Sequence, residues 1–324
     1  MGIIIPKDIK RDRRKVMEAK QIKNAVLGLA VADAFGMPYE TGKRGEFDIY
    51  KDADDGNGGY ELKGYKAGMP AYWYKNDMSA GIWTDDTAMV LAEMESVTRL
   101  GKVDPDDIMN NFCKWNYEGE FTPYGEAIGQ GRRTLAAMEK YRSGVEAVKC
   151  GGDTEADNGN GSLMRMLPFV FIKSLLEKSG VTISDLSSIT HAHEYSVTAC
   201  EIYVEFARRL ADGSDKHLIL QSMGEYDAPF ERIRNIESLA EDEIQSYGYV
   251  VYSLEAALWC FLNTDNYEDC VMKAINLGED TDTIAAIAGS LAGMCYPVPE
   301  KWINQLARKD YIMQMCDEFI EAVK

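Results

Sequence analysis

No stretch of this 324-residue chain alternates apolar and polar residues over more than a few positions, whereas apolar residues return at helical spacing along most of it. In residues 20–35 the spacing is carried by Ile22, Ala25, Val26, Leu29, Ala30 and Ala32. In 84–100 it is carried by Met89, Val90, Ala92 and Met94, behind Thr84-Asp85-Asp86, residue types suited to a helix N-terminus. Pro105 opens a helix over 105–117, and the same reading gives helices at 125–141, 162–178, 192–212, 250–263, 267–276, 282–295 and, after Pro297 and Pro299, 299–323. The expectation is an all-α chain: one domain of antiparallel helices over 21–324, preceded by a helical arm at 1–20. Residues 42–82 break the pattern. They are rich in Gly, Asp and Tyr and have no period, which reads as a long loop. The aromatic residues Tyr60, Tyr65, Tyr72, Trp73 and Tyr74 argue that this loop packs on something, as a flap over a pocket or as a surface excursion.

A hydrophobic content of 46% supplies a sizeable core, and the formal charge of -18 argues against a nucleic-acid partner unless basic residues cluster. The clearest basic cluster, Lys7 to Lys15, reads as the solvated face of the arm. The seven cysteines include no Cys-x-x-Cys pair, so neither a disulfide framework nor a zinc site is expected. Cys200, Cys260 and Cys295 fall in apolar helical patterns and read as small core residues. No apolar run approaches a membrane span, and Met1 to Ile5 is too short for a signal peptide. A reduced, cytoplasmic protein is expected.

The chemistry is concentrated in a few short stretches. Thr84-Asp85-Asp86-Thr87 and Glu279-Asp280-Thr281-Asp282-Thr283 each set carboxylates beside hydroxyls at the start of an apolar helix. Either alone could be dipole-matched capping. Together they could converge as hard oxygen ligands for Mg²⁺, Mn²⁺ or Ca²⁺, with room for two ions about 3.5–4 Å apart. Asp280 and Asp282 can face one ion, and Thr84 and Thr283 can add oxygens. Gly159-Asn160-Gly161-Ser162 offers backbone N–H groups to an anion, though an ordinary turn would look the same. A metal beside an anion cradle points to a phosphate-bearing substrate. His191 and His193 form a His-x-His with no third ligand nearby, so ligand contact or core packing is expected of each. Asp52 to Gly58 resembles a calcium loop, but its Gly is misplaced and Lys63 stands where the bidentate Glu belongs.

With these residues assembled, the chain resembles the ADP-ribosylglycohydrolase family, of the dinitrogenase-reductase-activating type. The resemblance runs from about residue 21 to the C-terminus. It rests on Gly28-Leu-Ala-Val-Ala-Asp-Ala-Phe-Gly-Met-Pro-Tyr-Glu40, Trp83-Thr-Asp-Asp-Thr-Ala-Met89, Gly159-Asn-Gly-Ser-Leu-Met-Arg165, Thr190-His-Ala-His193 and Gly278-Glu-Asp-Thr-Asp-Thr283. It implies a compact all-α fold with a central metal-lined cleft and two Mg²⁺ or Mn²⁺ ions held by Thr84, Asp85, Asp86, Asp280, Asp282 and Thr283. It implies Glu40 beside the metals, a pyrophosphate on Asn160, Gly161, Ser162, Leu163 and Met164, and His191 lining the pocket. Glu40, Asp85 and Asp86 become the catalytic candidates for hydrolysis at C1″ of an ADP-ribosyl group. The implied substrate is an ADP-ribosylated protein, with arginine the default acceptor, and an ADP-ribosylating toxin is a further candidate partner. The alternatives are a protein that occludes such a toxin through the arm and the 42–82 loop, or a catalytically silent relative. Two positions depart from the family pattern: Ala32 stands for the usual Gly before Asp33, and Glu279 for the second Gly of Gly-Gly-Asp.

Overall fold

The computed structural model describes residues 7–71 and 74–324, with side chains from Ala19 onward. The side chains of the basic cluster, and Tyr72 and Trp73 of the long loop, lie outside the described residues. The helices are α1 (Lys7–Gly36), α2 (Ile49–Asp52), α3 (Asp85–Leu100), α4 (Pro105–Glu118), α5 (Arg132–Arg142), α6 (Leu167–Val170), α7 (Lys173–Ser179), α8 (Ile183–Ser188), α9 (Glu194–Ala211), α10 (Lys216–Ser222), α11 (Val250–Leu262), α12 (Tyr267–Asn276), α13 (Thr281–Cys295), α14 (Glu300–Gln305) and α15 (Lys309–Val323). Among the described residues there is no strand, only isolated bridges such as Gly159–Tyr249.

The centre of the domain is the pair α1 and α13. From Thr281 to Met294 every residue of α13 is buried, the mark of a helix packed on all sides. The two helices run antiparallel, because Asn24 and Gly28 of α1 meet Gly293 and Gly289, while Gly36 meets Thr281 and Asp282. Small residues bring the backbones together. A methyl group at Gly28 would lie 2.6 Å from the carbonyl oxygen of Gly289. Ala32 fits because it faces Gly289, where a second methyl group would fall 2.5 Å from its own Cβ. This arrangement sets the C-terminal end of α1 beside the N-terminal end of α13, and α3 begins at the same place.

Several expected boundaries shift. The stretch read as one helix over 125–141 becomes helical only at Arg132, since Gly125 and Gly129 take φ of 91° and 84°. The 162–178 stretch divides into a 3-10 turn at Leu163–Arg165 followed by α6 and α7. The 299–323 stretch divides into α14 and α15 at Arg308, whose φ is 50°. Helices α8 and α10 are too short to show a period and are additions to the expected set. Cys200 and Cys260 are buried as expected, but Cys295, at the end of α13, is exposed.

The 42–82 segment is anchored. Ile49, Ala53, Leu62, Tyr65, Ala71 and Tyr74 are buried. Leu62 donates its N–H to Oε1 of Gln305, and Trp302 donates Nε1–H to the carbonyl of Tyr60. Asp54 and Asp55 spend carboxylate oxygens on the N–H groups of Gly56, Asn57 and Gly59, which makes this stretch a pair of tight turns.

Candidate active site

Asp33, in the last turns of α1, is fully buried and accepts hydrogen bonds from four groups at the start of α3. These are the backbone N–H of Thr84 (3.0 Å) and of Thr87 (3.1 Å), and the hydroxyls of Thr84 (3.0 Å) and Thr87 (2.6 Å). An acid from one helix thereby caps another. This frees Thr84, the N-cap by position, from capping with its own side chain. Burial raises the Asp33 carboxyl to about 6, against the pull of these donors.

The capped end of α3 meets the start of α13 directly. Asp86 Oδ2 lies 3.1 Å from Thr84 Oγ1, sharing that hydroxyl's one proton with Asp33, and accepts from Thr283 Oγ1 at 3.3 Å. Asp86 Oδ1 is buried with no hydrogen-bond partner. Oxygens of Asp33, Asp86 and Asp282 lie within 4.8 Å of one another, and so do oxygens of Glu40, Asp280 and Asp282. Asp282 belongs to both groups. Burial first, and then the neighbouring carboxylates, hold Asp85, Asp86 and Asp282 well above the ordinary carboxylate range. Burial raises Asp280 too, opposed by hydrogen bonds from Asn160 and Thr283. No lysine or arginine pairs with Asp33, Asp85, Asp86, Asp280 or Asp282 among the described residues. So much buried like charge with one oxygen orphaned suits divalent cations, and the all-oxygen donor set suits hard ones.

Of the residues expected from sequence, Asp86, Asp280, Asp282 and Glu40 converge on these two groups. Asp85 stands outside both. It lies under the 119–131 loop, where a methyl group on Gly129 would fall inside its carboxylate. The Thr84 and Thr283 hydroxyls are engaged with Asp33 and Asp86. Two further contributors lie outside the expected set. Asp33 falls within the Gly28–Glu40 stretch that carries the family resemblance, but nothing in that stretch marks it as a member of a carboxylate group. Tyr74 is brought in by the long loop; burial, then Asp282, Glu40, Asp85 and Asp33, push its hydroxyl far above the usual tyrosine range.

The Gly159–Arg165 turn lies on the Asp280 side of the carboxylates. Segment 246–250 runs between them: Asn160 N–H donates to the Gly248 carbonyl, Val250 N–H to that of Asn158, and Asp280 N–H to that of Ser246. The Asn160 side chain donates to Asp280 Oδ2 (2.7 Å) and to Ser253 Oγ (2.9 Å), so it ties the turn to the acidic group. The amides of Gly161, Ser162 and Leu163 donate to no acceptor among the described residues, which leaves three N–H groups available to a bound group or to water. Ser162 turns its hydroxyl away, into a buried cluster with Ser187 and Cys200, and Leu163 and Met164 are core residues. His191 is buried with its ring against Gly159 and Gly161 of the turn. His193 caps α9 by accepting from the N–H of Tyr195 and contacts the Asn158 amide; neither histidine joins an acidic group. An open groove of about 1570 Å³ lined by Asn24, Val204, Arg208, Met294 and Tyr296 lies at the other end of α1 and α13. Concavity is therefore a poorer guide to the chemistry here than buried charge.

An all-helical domain that buries two linked carboxylate groups beside a donor-rich turn has known counterparts. The chain matches the ADP-ribosylglycohydrolase family over residues 14–324 and belongs to that family of ADP-ribosyl hydrolases. It is 31% identical over 307 residues to the ADP-ribosylarginine hydrolase Tri1 of Pseudomonas putida (strain GB-1), covering 92% of this chain and 77% of that protein. It is 27% identical over 299 residues to the ADP-ribosyl-[dinitrogen reductase] glycohydrolase of Rhodospirillum rubrum, covering 88% and 90%. A solved structure titled ADP-ribosylglycohydrolase-related protein complex has the same fold, with a TM-score of 0.74 and 26% identity over 95% of this chain and 99% of that one.

Proposed function

We propose that this protein is a divalent-metal-dependent hydrolase that removes ADP-ribose from modified arginine side chains of proteins. The observation that carries the reading is the pair of carboxylate groups sharing Asp282, with no balancing side-chain cation on the five aspartates among the described residues, next to a turn whose three amides donate to no acceptor among them. Asp86, Asp280 and Asp282 are the residues proposed to hold Mg²⁺ or Mn²⁺, with Glu40 and Asp33 completing the two groups and Thr84, Thr283 and Asp85 at their edge. Bound there, two such cations would act as Lewis acids on ribose hydroxyls and sharpen the acidity of water. The turn is proposed to hold the pyrophosphate through the amides of Gly161, Ser162 and Leu163.

In the reaction, the bond between C1″ and the guanidine nitrogen breaks, a water oxygen bonds to C1″, and one water proton leaves with the arginine. Two carboxylates can divide that work as acid and base. Asp85 and Glu40 are the proposed pair: Asp85 stands outside both metal-type groups, and Glu40, though a member of the second, is half buried and does not belong to the first. The likeness to ADP-ribosylarginine hydrolases supports arginine as the acceptor. Protection from an ADP-ribosylating toxin is the proposed use of this activity.

The test is release of free ADP-ribose from an ADP-ribosyl-arginine protein with Mg²⁺ or Mn²⁺, with EDTA, and with Asp282→Ala. Metal-dependent release that Asp282→Ala abolishes is expected. Undiminished release in EDTA would overturn the metal role. Absence of release from arginine, with release from ADP-ribosyl-serine, would overturn the acceptor. Toxin neutralisation that survives in Asp282→Ala would replace hydrolysis by occlusion.

A further inference from the structure

A buried imidazole backs the Gly159–Arg165 turn. His191 is 2% exposed, and one edge of its ring lies against the turn. A methyl group at Gly161 would sit 2.9 Å from Cε1, and one at Gly159 would sit 3.3 Å from Nε2. The other edge is engaged, with Nδ1 2.9 Å from Oγ1 of Thr190. That same hydroxyl oxygen accepts from Nη2 of Arg165 at 3.0 Å. Arg165 closes the turn's own sequence, and its guanidinium is anchored by Glu93 at 2.5 Å and by the Leu186 carbonyl at 2.9 Å. Glu93, Arg165 and Thr190 are all fully buried.

The direction of the hydrogen bonds follows from what each group can do. A guanidinium only donates, so at Thr190 it occupies a lone pair. The single proton of that hydroxyl then has one acceptor among its hydrogen-bond partners, Nδ1 of His191. An imidazole that accepts at Nδ1 and is neutral carries its proton on Nε2. Neutrality is secured by burial and then by the adjacent Arg165 charge, which together lower the His191 pKa to about 3. We infer that Arg165 and Thr190 are positioning residues that lock His191 as the Nε2–H tautomer, so that the ring adds a fixed N–H donor to the amides of Gly161, Ser162 and Leu163. Only the identity of the anion rests on the ADP-ribosyl reading; the relay stands on its own geometry.

Nitrogen-15 spectra of the full-length protein, labelled at its three histidines, test the relay without reference to activity. His191 is expected to show the Nε2–H pattern at neutral pH. Thr190→Val keeps the shape and removes the relay. It is expected to shift His191 toward the Nδ1–H form and to weaken binding of ADP-ribose about tenfold, the loss of roughly one hydrogen bond, with Mg²⁺ affinity unchanged. Thr190→Ser is expected to restore both spectrum and affinity. An Nδ1–H pattern in the wild type, or an unaltered His191 signal in Thr190→Val, would overturn the proposal; the wild-type spectrum decides it even where the valine variant fails to fold. Failure of ADP-ribose to bind the wild type would instead count against the proposed function and leave the tautomer of His191 decided by its spectrum.

Discussion

Glu279 takes φ of 62°, a backbone conformation that costs a side-chain-bearing residue about 1 kcal/mol and that glycine adopts freely. Its backbone is clamped there: its N–H donates to the Gly42 carbonyl at 2.7 Å, and its carbonyl accepts from Thr41 N–H at 2.6 Å. The clamp ties the segment after Glu40 to the residue before Asp280, so the strained turn spaces the second carboxylate group. This is the position at which the family resemblance leads one to expect glycine, and the φ angle explains why. Glu279→Gly is therefore expected to raise unfolding free energy by about 1 kcal/mol, with Mg²⁺ affinity unchanged. Denaturant titration and calorimetry check both; weakened metal binding would show that the carboxylate serves the site. At this scale the residue types of the site were legible and their roles were not. The sequence marks Asn160 and Ser162 but does not show that the Asn160 amide donates to Asp280 or that the Ser162 hydroxyl points toward Ser187. Short polar motifs announce chemistry; the direction of a side chain depends on neighbours distant in sequence.

The α1–α13 pair does for the elements what Asp33 does for the residues. Asp33 and Gly36 lie near one end of α1, Asp280 and Asp282 at the facing end of α13, and the glycines between them set how closely the axes approach. Gly28→Ala would press a methyl group against the Gly289 carbonyl and the Tyr267 ring. Overpacking of this kind costs about 1–3 kcal/mol, and the resulting shift is expected to weaken Mg²⁺ binding as well. Calorimetric titration of the variant with Mg²⁺ is the check, since an unchanged affinity would detach the site from the helix spacing. Helical periodicity announced both helices. It misjudged 125–141, 162–178 and 299–323 because apolar residues continue through segments where the helix breaks, as positive φ does at Gly125, Gly129 and Arg308.

For the whole molecule, the buried carboxylates make stability depend on pH and on metal. A carboxyl raised in the folded state contributes stability that is present below its unfolded value and is lost as pH rises through its folded one. For Asp33 that window runs from 3.8 to about 6. His191 acts oppositely: lowered from 6.5 to about 3, it costs stability as pH falls through that interval. The two offset each other proton for proton at about 1.4 kcal/mol per pH unit each. The balance is left to Asp85, Asp86, Asp280 and Asp282, all raised. In EDTA the melting temperature is accordingly expected to fall as pH rises from about 5 to about 8, while Mg²⁺ restores it more strongly at the higher pH, since binding displaces protons. A metal-induced shift that does not grow with pH would contradict this account. The sequence by itself determined the all-α class, the two acidic helix starts and the glycine-rich turn, because periodicity, capping and turn chemistry are local. Only the tertiary structure decided that Asp33 caps α3, that Asp282 belongs to two carboxylate groups, that Asp85 lies beside but outside them and that Tyr74 is packed near them. Those facts depend on antiparallel packing that brings residues far apart in the chain, such as Asp33, Asp86 and Asp282, within a few ångströms, and no local pattern encodes that distance.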